Sequence, residues 1–419
     1  MKPFFCKRFS LYAVFFCIPL GLSAQSGETF LAIQNADDYS FVERSNWRRY
    51  DNGRYTGLVF REVRASLLQD KTIQQDAGEM RYTGHCIVLE QTVRDMKQSA
   101  KAVNAMFPVR FRVSARGDFT MEQKDVPYGF PSLRGFPVFP AQIIAPGATW
   151  TDVAERVVDP LNSGNPAVMR INVEYSYLGI ETYKDIAVHR IKARYSTQNN
   201  ALSSTQEGVN VDFKQMRDNH DIDILIRVDS GLPLLIRDIL DETYTLKDNS
   251  TLRFAGFTLT FTEKLIPMDK NVVVAGITGA RQKPPAPLQD PAAELGEDVE
   301  VAETPEGVKL TIKDIRFIPD SDAFFPEEKD RLDAIAIALM RTPDRVFMVE
   351  GHTADTGQPV LELDLSTRRA MRMIEELVKR GIPADRFLYK GWGGTKPVGD
   401  NGTESGRARN RRVEITILE

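Results

Sequence analysis

GHTADTGQPVLELDLSTRRA, residues 351–370, is the stretch on which the reading of this chain turns. Before it, residues 345–350 are four apolar side chains with a charge at each end, the pattern of a short buried strand. After it the apolar spacing becomes that of an amphipathic helix, predicted over residues 367–380 with Ala370, Ile374 and Leu377 inward. The loop between them gathers His352, Thr353, Asp355, Glu362 and Arg369 near one strand-to-helix junction. Ser366 is the candidate N-cap, which places Arg369 in the first turn. A helix start offers unpaired N–H groups and partial positive charge, so it suits an anion. An arginine there opposes the dipole, which argues for a guanidinium kept to grip a carboxylate through two parallel bonds.

Four pieces in order, VEGHT (349–353), LSTRRA (365–370), GIPADRF (381–387) and GRARNRRVEI (406–415), resemble the OmpA-like family that holds peptidoglycan. The resemblance covers about residues 305–419 and extends to spirochaete-type members with an altered binding motif. It implies a β-α-β-α-β-β domain that takes the free end of a diaminopimelate side chain, an ammonium beside a carboxylate. In the family an Asp after GHT meets the ammonium, an Asn precedes Leu-Ser, and two arginines serve the carboxylate. Here Arg369 and Arg411 hold the arginine positions, Ala354 stands at the aspartate position and Glu362 at the asparagine position. Thr353 and Asp355 complete the expected peptidoglycan-binding set. The spacing from GHT to Leu-Ser agrees with the family, so Asp355 has no gap through which to slide into the place of Ala354.

Around this stretch the last domain reads as a first strand at Val308, Leu310 and Ile312, a helix over 326–341, and a final strand at Val413, Ile415 and Ile417. Upstream, residues 278–304 are rich in proline, alanine and acids and read as an extended linker. Residues 25–277 read as a β-rich body. Met169 to Tyr177 and Ile222 to Val228 alternate apolar and polar, the mark of an antiparallel sheet with one wet face. Ala115-Arg116-Gly117-Asp118 and Asp229-Ser230-Gly231 are predicted turns. The offset between Leu252/Phe254 and Phe257/Leu259/Phe261 predicts a bulge near Gly256. Residues 90–105 carry a helical pattern, 197–207 a polar loop, and the proline-rich 136–150 reads as core cover. The expected fold is therefore multidomain: a large antiparallel sheet, curved or half-barrel, then an α/β OmpA-like domain.

Residues 1–24 read as an export signal, with Lys2, Lys7 and Arg8 before a short apolar core and cleavage after Ala24. Phe16 before Cys17 does not suit lipid attachment. Loss of the signal leaves 51 basic against 58 acidic residues, with no basic stripe of the kind nucleic acid requires. Cys86 is then the only thiol, expected as a buried apolar group. The four histidines lie far apart, and no catalytic or metal motif is present. The sequence thus points to a non-enzymatic, periplasmic envelope protein without cofactor, with partners in the peptidoglycan stem peptide, other envelope proteins and the outer membrane. Ala354 keeps alternatives open: a protein-interaction scaffold without peptidoglycan binding, or a body that carries a lipid or apolar ligand.

Overall fold

The computed structural model describes residues 27–419 except 35–36, 72–77, 94–99, 124–125, 127–128, 162, 164–165, 201–211, 266–267, 279–298, 314, 316, 319–320 and 343–344. The expected signal, residues 201–207 of the polar loop and most of the linker lie outside the described residues.

The body is built from β1 (Tyr39–Asp51), β2 (Arg54–Gln69), β3 (Glu79–Val93), β4 (Lys101–Ala102), β5 (Ala105–Ser114), β6 (Phe119–Met121), β7 (Leu133–Arg134), β8 (Thr149–Val158), β9 (Ala167–Tyr183), β10 (Ile186–Asn200), β11 (Phe213–Arg227), β12 (Pro233–Leu246) and β13 (Thr251–Lys264). All but β4 form one antiparallel sheet, ordered β6-β5-β3-β2-β1-β13-β12-β11-β10-β9-β8-β7. Strict alternation drives it: Ala167, Met169, Ile171, Val173, Tyr175 and Tyr177 of β9 are all buried, while the residues between them are not. The sheet curls until its two ends nearly meet. The Arg134 guanidinium of β7 lies 5.9 Å from the Phe119 ring of β6, although β6 and β7 do not pair. The result is an open near-barrel. Phe130, Val138 and Phe139, from the proline-rich connection, are buried inside it as core. Cys86 is also fully buried there, and burial pushes its thiol pKa up.

A line of buried polar groups crosses this interior. Ser132 donates to Glu43 (2.7 Å), and Arg156 of β8 donates to the Ser132 carbonyl (3.2 Å) and to Glu242 of β12 (2.7 Å). Tyr244 donates to the other Glu242 oxygen (2.8 Å), and His220 pairs with Asp238 at 2.8 Å. Strands β8 and β12 are separated by three strands in the sheet, so the Arg156–Glu242 contact requires the curl.

Three expectations fail here. Residues 197–200, read as the start of a polar loop, continue β10 and pair with β11, whose cross-strand partners extend the strand. Residues 90–105 are not helical at their described ends. The β2 pairing of β3 continues to Val93, and β5 resumes opposite Val88 at Ala105; cross-strand partners override the local helical pattern. Nor is there a bulge at Gly256. The register of β13 with both neighbours runs through it unbroken, and Phe257 is turned to the outer face, 38% exposed. A Cβ at Gly256 would sit 2.1 Å from the Asn46 carbonyl, so the glycine serves close strand approach.

The C-terminal part comprises α1 (Lys270–Thr278), β14 (Val299–Thr304), β15 (Gly307–Ile312), α2 (Lys329–Met340), β16 (Phe347–Gly351), α3 (Pro359–Lys379), β17 (Phe387–Gly391), α4 (Glu404–Asn410) and β18 (Val413–Leu418). From β15 onward the strand and long-helix order is the one the resemblance implies, with α4 as a short addition. Its sheet is ordered β14-β15-β18-β16-β17-β4, with β16 and β17 parallel. Residues 299–304, read as the end of the linker, are strand β14: Val299 and Val301 pack on the core although acids surround them. Residue 278, read as the linker's first, closes α1, whose Ile277 enters the same core.

The sheet face away from α2 and α3 is covered by the body. Met348 and Leu388 pack with Ile87, Leu89 and Val103. Strand β4 leaves the body to pair in parallel with β17. The Val103 N–H donates to the Tyr389 carbonyl (2.8 Å), and Lys390 donates to the Asn104 carbonyl (2.8 Å).

Candidate functional site

The helix that carries the site begins earlier than its sequence suggests. Pro359 opens α3; its missing N–H and fixed φ suit a first helical position. Ser366 is therefore not the N-cap. It lies inside the helix, fully buried, accepts from the Gly393 N–H (2.9 Å) and donates to the Leu363 carbonyl (2.9 Å). Gly351 and Gly391 let the helix press on the sheet: a Cβ at Gly351 would meet the Ser366 carbonyl at 2.1 Å, and one at Gly391 the Thr367 hydroxyl at 2.2 Å. Arg369 accordingly stands more than two turns in, not in the first turn, and does not oppose the dipole at the helix start.

Glu362 occupies the first turn instead. Its Oε1 accepts from the Thr356 N–H (2.6 Å), the Thr356 hydroxyl (2.9 Å) and the Gln358 N–H (3.1 Å). Burial works to raise its pKa, but these backbone donors hold the carboxyl below its ordinary value. The carboxylate thus caps its own loop and helix. Ala354 is buried. Asp355 is exposed, accepts from the Gly357 N–H (2.9 Å) and lies against Gly394. Thr353 donates its N–H to the Gly393 carbonyl (3.0 Å), while its buried hydroxyl has no partner.

Arg411 is tied to this loop indirectly. The Asp355 N–H (3.2 Å) and the Asn410 amide (2.7 Å) both donate to the Asn401 side-chain oxygen, and Arg411 follows Asn410. Its guanidinium is half-exposed and pairs with the exposed Glu404 at 2.7 Å. Such a solvent-exposed pair is weak, and it leaves the Arg411 guanidinium open to solvent. Arg369 reaches another way: it is buried, lies 4.7 Å from the centre of the Phe317 ring, and donates to the Ser321 carbonyl (3.2 Å). The structure therefore joins Thr353, Ala354 and Asp355 in one loop that Glu362 caps from the first turn of α3, links Arg411 to it through two asparagines, and sets Arg369 under the segment around Phe317 and Ser321.

Sequence reasoning missed Asn401, Asn410 and the wall behind the loop. Asn410 lies inside GRARNRRVEI, and its side chain also accepts from the Val398 and Gly399 N–H groups at 2.8 and 2.7 Å. In the wall Glu414 pairs with Lys309 and Arg412, each at 2.7 Å, and Trp392 donates to Glu350 (2.7 Å). Burial raises and these cations lower the Glu414 pKa, which falls to about 2. His352 lies in the wall with neither ring nitrogen hydrogen-bonded. Burial, aided by Arg412, pushes its pKa down to about 3. Among the described residues no group of three His, Cys, Asp or Glu side chains is placed to hold a metal. No helix among them is long and apolar enough to cross a membrane.

The chain thus combines an open β near-barrel with an α/β domain that carries a polar loop cluster and Arg411 at one sheet end, with Arg369 set apart beneath the Phe317 segment. Residues 316–411 match the model of the OmpA family. An outer-membrane lipoprotein of Pseudomonas aeruginosa, YfiB, is 32% identical over 155 residues, which are 35% of this chain and 88% of that protein. The peptidoglycan-binding protein ArfA of Mycobacterium tuberculosis is 32% identical over 146 residues, 35% of this chain but 42% of its own length. A solved outer membrane protein from Borrelia burgdorferi B31 is 34% identical, covering 29% of this chain and 97% of that one with a TM-score of 0.25. By its C-terminal domain the chain belongs to the OmpA family.

Proposed function

We propose that this is a non-enzymatic periplasmic protein that associates with peptidoglycan through the 352–369 and 401–411 cluster, with a weakened hold on the diamino acid. One observation carries the reading: both arginine positions are kept, while Ala354 is apolar and buried and Glu362 is occupied by its own loop. The carboxylate of a stem peptide keeps Arg411 and Arg369. Its ammonium loses the partner the family supplies, a charge-assisted bond worth about 1.5–3 kcal/mol, or roughly ten- to hundredfold in affinity. The name of ArfA supports the ligand class, and the export signal read at 1–24 supports the compartment. Other envelope proteins and the outer membrane are the remaining expected partners.

The test is a pull-down with diaminopimelate-type sacculi. Wild type is expected to bind weakly, and Ala354→Asp to bind at least about tenfold more tightly. Tight wild-type binding that neither Ala354→Asp nor Arg369→Ala changes overturns the site. No binding by either wild type or Ala354→Asp selects the scaffold reading, in which the domain joins proteins only. The carrier reading has less support. The apolar cavity inside the body, between Phe41, Tyr82, Phe111 and Phe130, measures about 110 Å³, smaller than a void of about 150 Å³ that admits benzene.

A further inference from the structure

A second cleft, of about 450 Å³, lies where the two domains meet. One wall is the outer face of β2, β3 and β5, with Arg64, His85, Pro108 and Arg110; the other is the C-terminal part, with Lys270, Glu306, Arg345 and Glu419. Four cationic side chains thus face two side-chain carboxylates. The carboxylates are already engaged: Glu306 lies 3.3 Å from His85, and Glu419 accepts from the Met268 N–H (3.2 Å) and lies 3.6 Å from Lys270. Arg64 pairs with Glu62 beneath it. Neither Arg110 nor Arg345 has a side-chain ion pair or hydrogen bond among the described residues, although each lines the cleft, one from each domain.

We propose that this cleft is a binding site for a phosphate-bearing ligand, and that the ligand bridges the body and the OmpA-like domain. The physical reasons are three. Positive charge in a concave site between protein walls attracts anions more strongly than the same charge on an open surface. The two guanidinium groups come from opposite walls, which suits a tetrahedral phosphate that accepts from several sides better than a planar carboxylate met by one fork. The volume is in the range of small-molecule sites and holds more than a single inorganic ion. Ile87, Val346 and Leu418 add apolar lining, so both a soluble phosphorylated compound and a phospholipid headgroup present the required chemistry. Because both walls take part, an occupied cleft ties the domains together in addition to the β4–β17 pairing.

The test uses the full chain at low ionic strength, with pyrophosphate followed by calorimetry and vesicles of phosphatidylglycerol in phosphatidylcholine followed by co-sedimentation. Saturable binding in either arm is expected, weakened tenfold or more by Arg110→Ala/Arg345→Ala. The exposed pair Arg48→Ala/Arg237→Ala, elsewhere on the body, is the control and should leave binding unchanged. Pyrophosphate binding identifies a soluble ligand class, and vesicle binding alone identifies the lipid headgroup. Absence of binding in both arms overturns the proposal, and so does equal weakening by the two arginine pairs, which would mark a general charge effect.

Discussion

Replacing Arg156 by methionine tests whether the buried polar line holds the near-barrel in its curl. Arg156 and Glu242 are 6% and 4% exposed and meet at 2.7 Å. At an effective dielectric of about 20 their attraction is roughly 6 kcal/mol before desolvation is counted. Burial favours the neutral acid, yet Arg156, His220 and Tyr244 hold the Glu242 carboxyl far below its ordinary pKa. Methionine leaves that charge in place with only His220 and Tyr244 to meet it, and removes the donor to the Ser132 carbonyl. Breaking a buried pair in this way costs about 3–5 kcal/mol. Arg156→Met/Glu242→Gln removes both charges while the amide oxygen still accepts from Tyr244, and should recover most of the loss. Urea unfolding at pH 7, followed by fluorescence, gives both numbers, and the double-mutant difference isolates the pair. A single substitution costing under about 1 kcal/mol, or a double one costing the sum of the two singles, would falsify the claim that this contact closes the curl.

Three further outcomes are expected. Burial opposes His220 protonation, but Asp238 and Glu242 raise its pKa to about 9 from an ordinary 6.5; its stabilisation, about 3 kcal/mol, is therefore complete below pH 6.5 and disappears as pH rises through 9. Urea midpoints between pH 6 and 10 should show that fall in wild type and lose most of it in His220→Gln. His352 behaves oppositely: with its folded pKa near 3, stability declines as pH drops from 6.5 toward 3, and His352→Leu should flatten that part of the profile, whereas an unchanged slope contradicts it. Residues 299–419 expressed alone should melt cooperatively but below the intact chain, because Met348 and Leu388 lose their cover from Ile87, Leu89 and Val103; a fragment as stable as the intact protein argues against the docked face, and one that never folds argues against an independent domain.

Much was legible in the residues themselves, where local pattern and burial coincide. Alternation in Met169–Tyr177 and Ile222–Ile226 marks strands because one face of each is buried, whereas Val228, read as the next inward residue, lies past the end of β11 and is 43% exposed; the Gly117 and Gly231 turns take positive φ of 94° and 73°. GHT, Leu-Ser and Arg-Arg, with their spacing, suffice for the family; the roles of Arg369, Arg411, Ala354 and Glu362 belong to the proposal. Sequence could not say what Glu362 does, because its partners are backbone N–H groups that look alike in every residue. Ser366 misled for a related reason: a serine serves equally as a cap or as a buried hydroxyl, and only Gly393 across the loop decides. The Arg156–Glu242 contact, the pairing of β4 with β17 and the cleft between the domains depend on chain segments tens to hundreds of residues apart. Their partners are chosen by how the sheet curls and which faces meet, and no local periodicity encodes that choice.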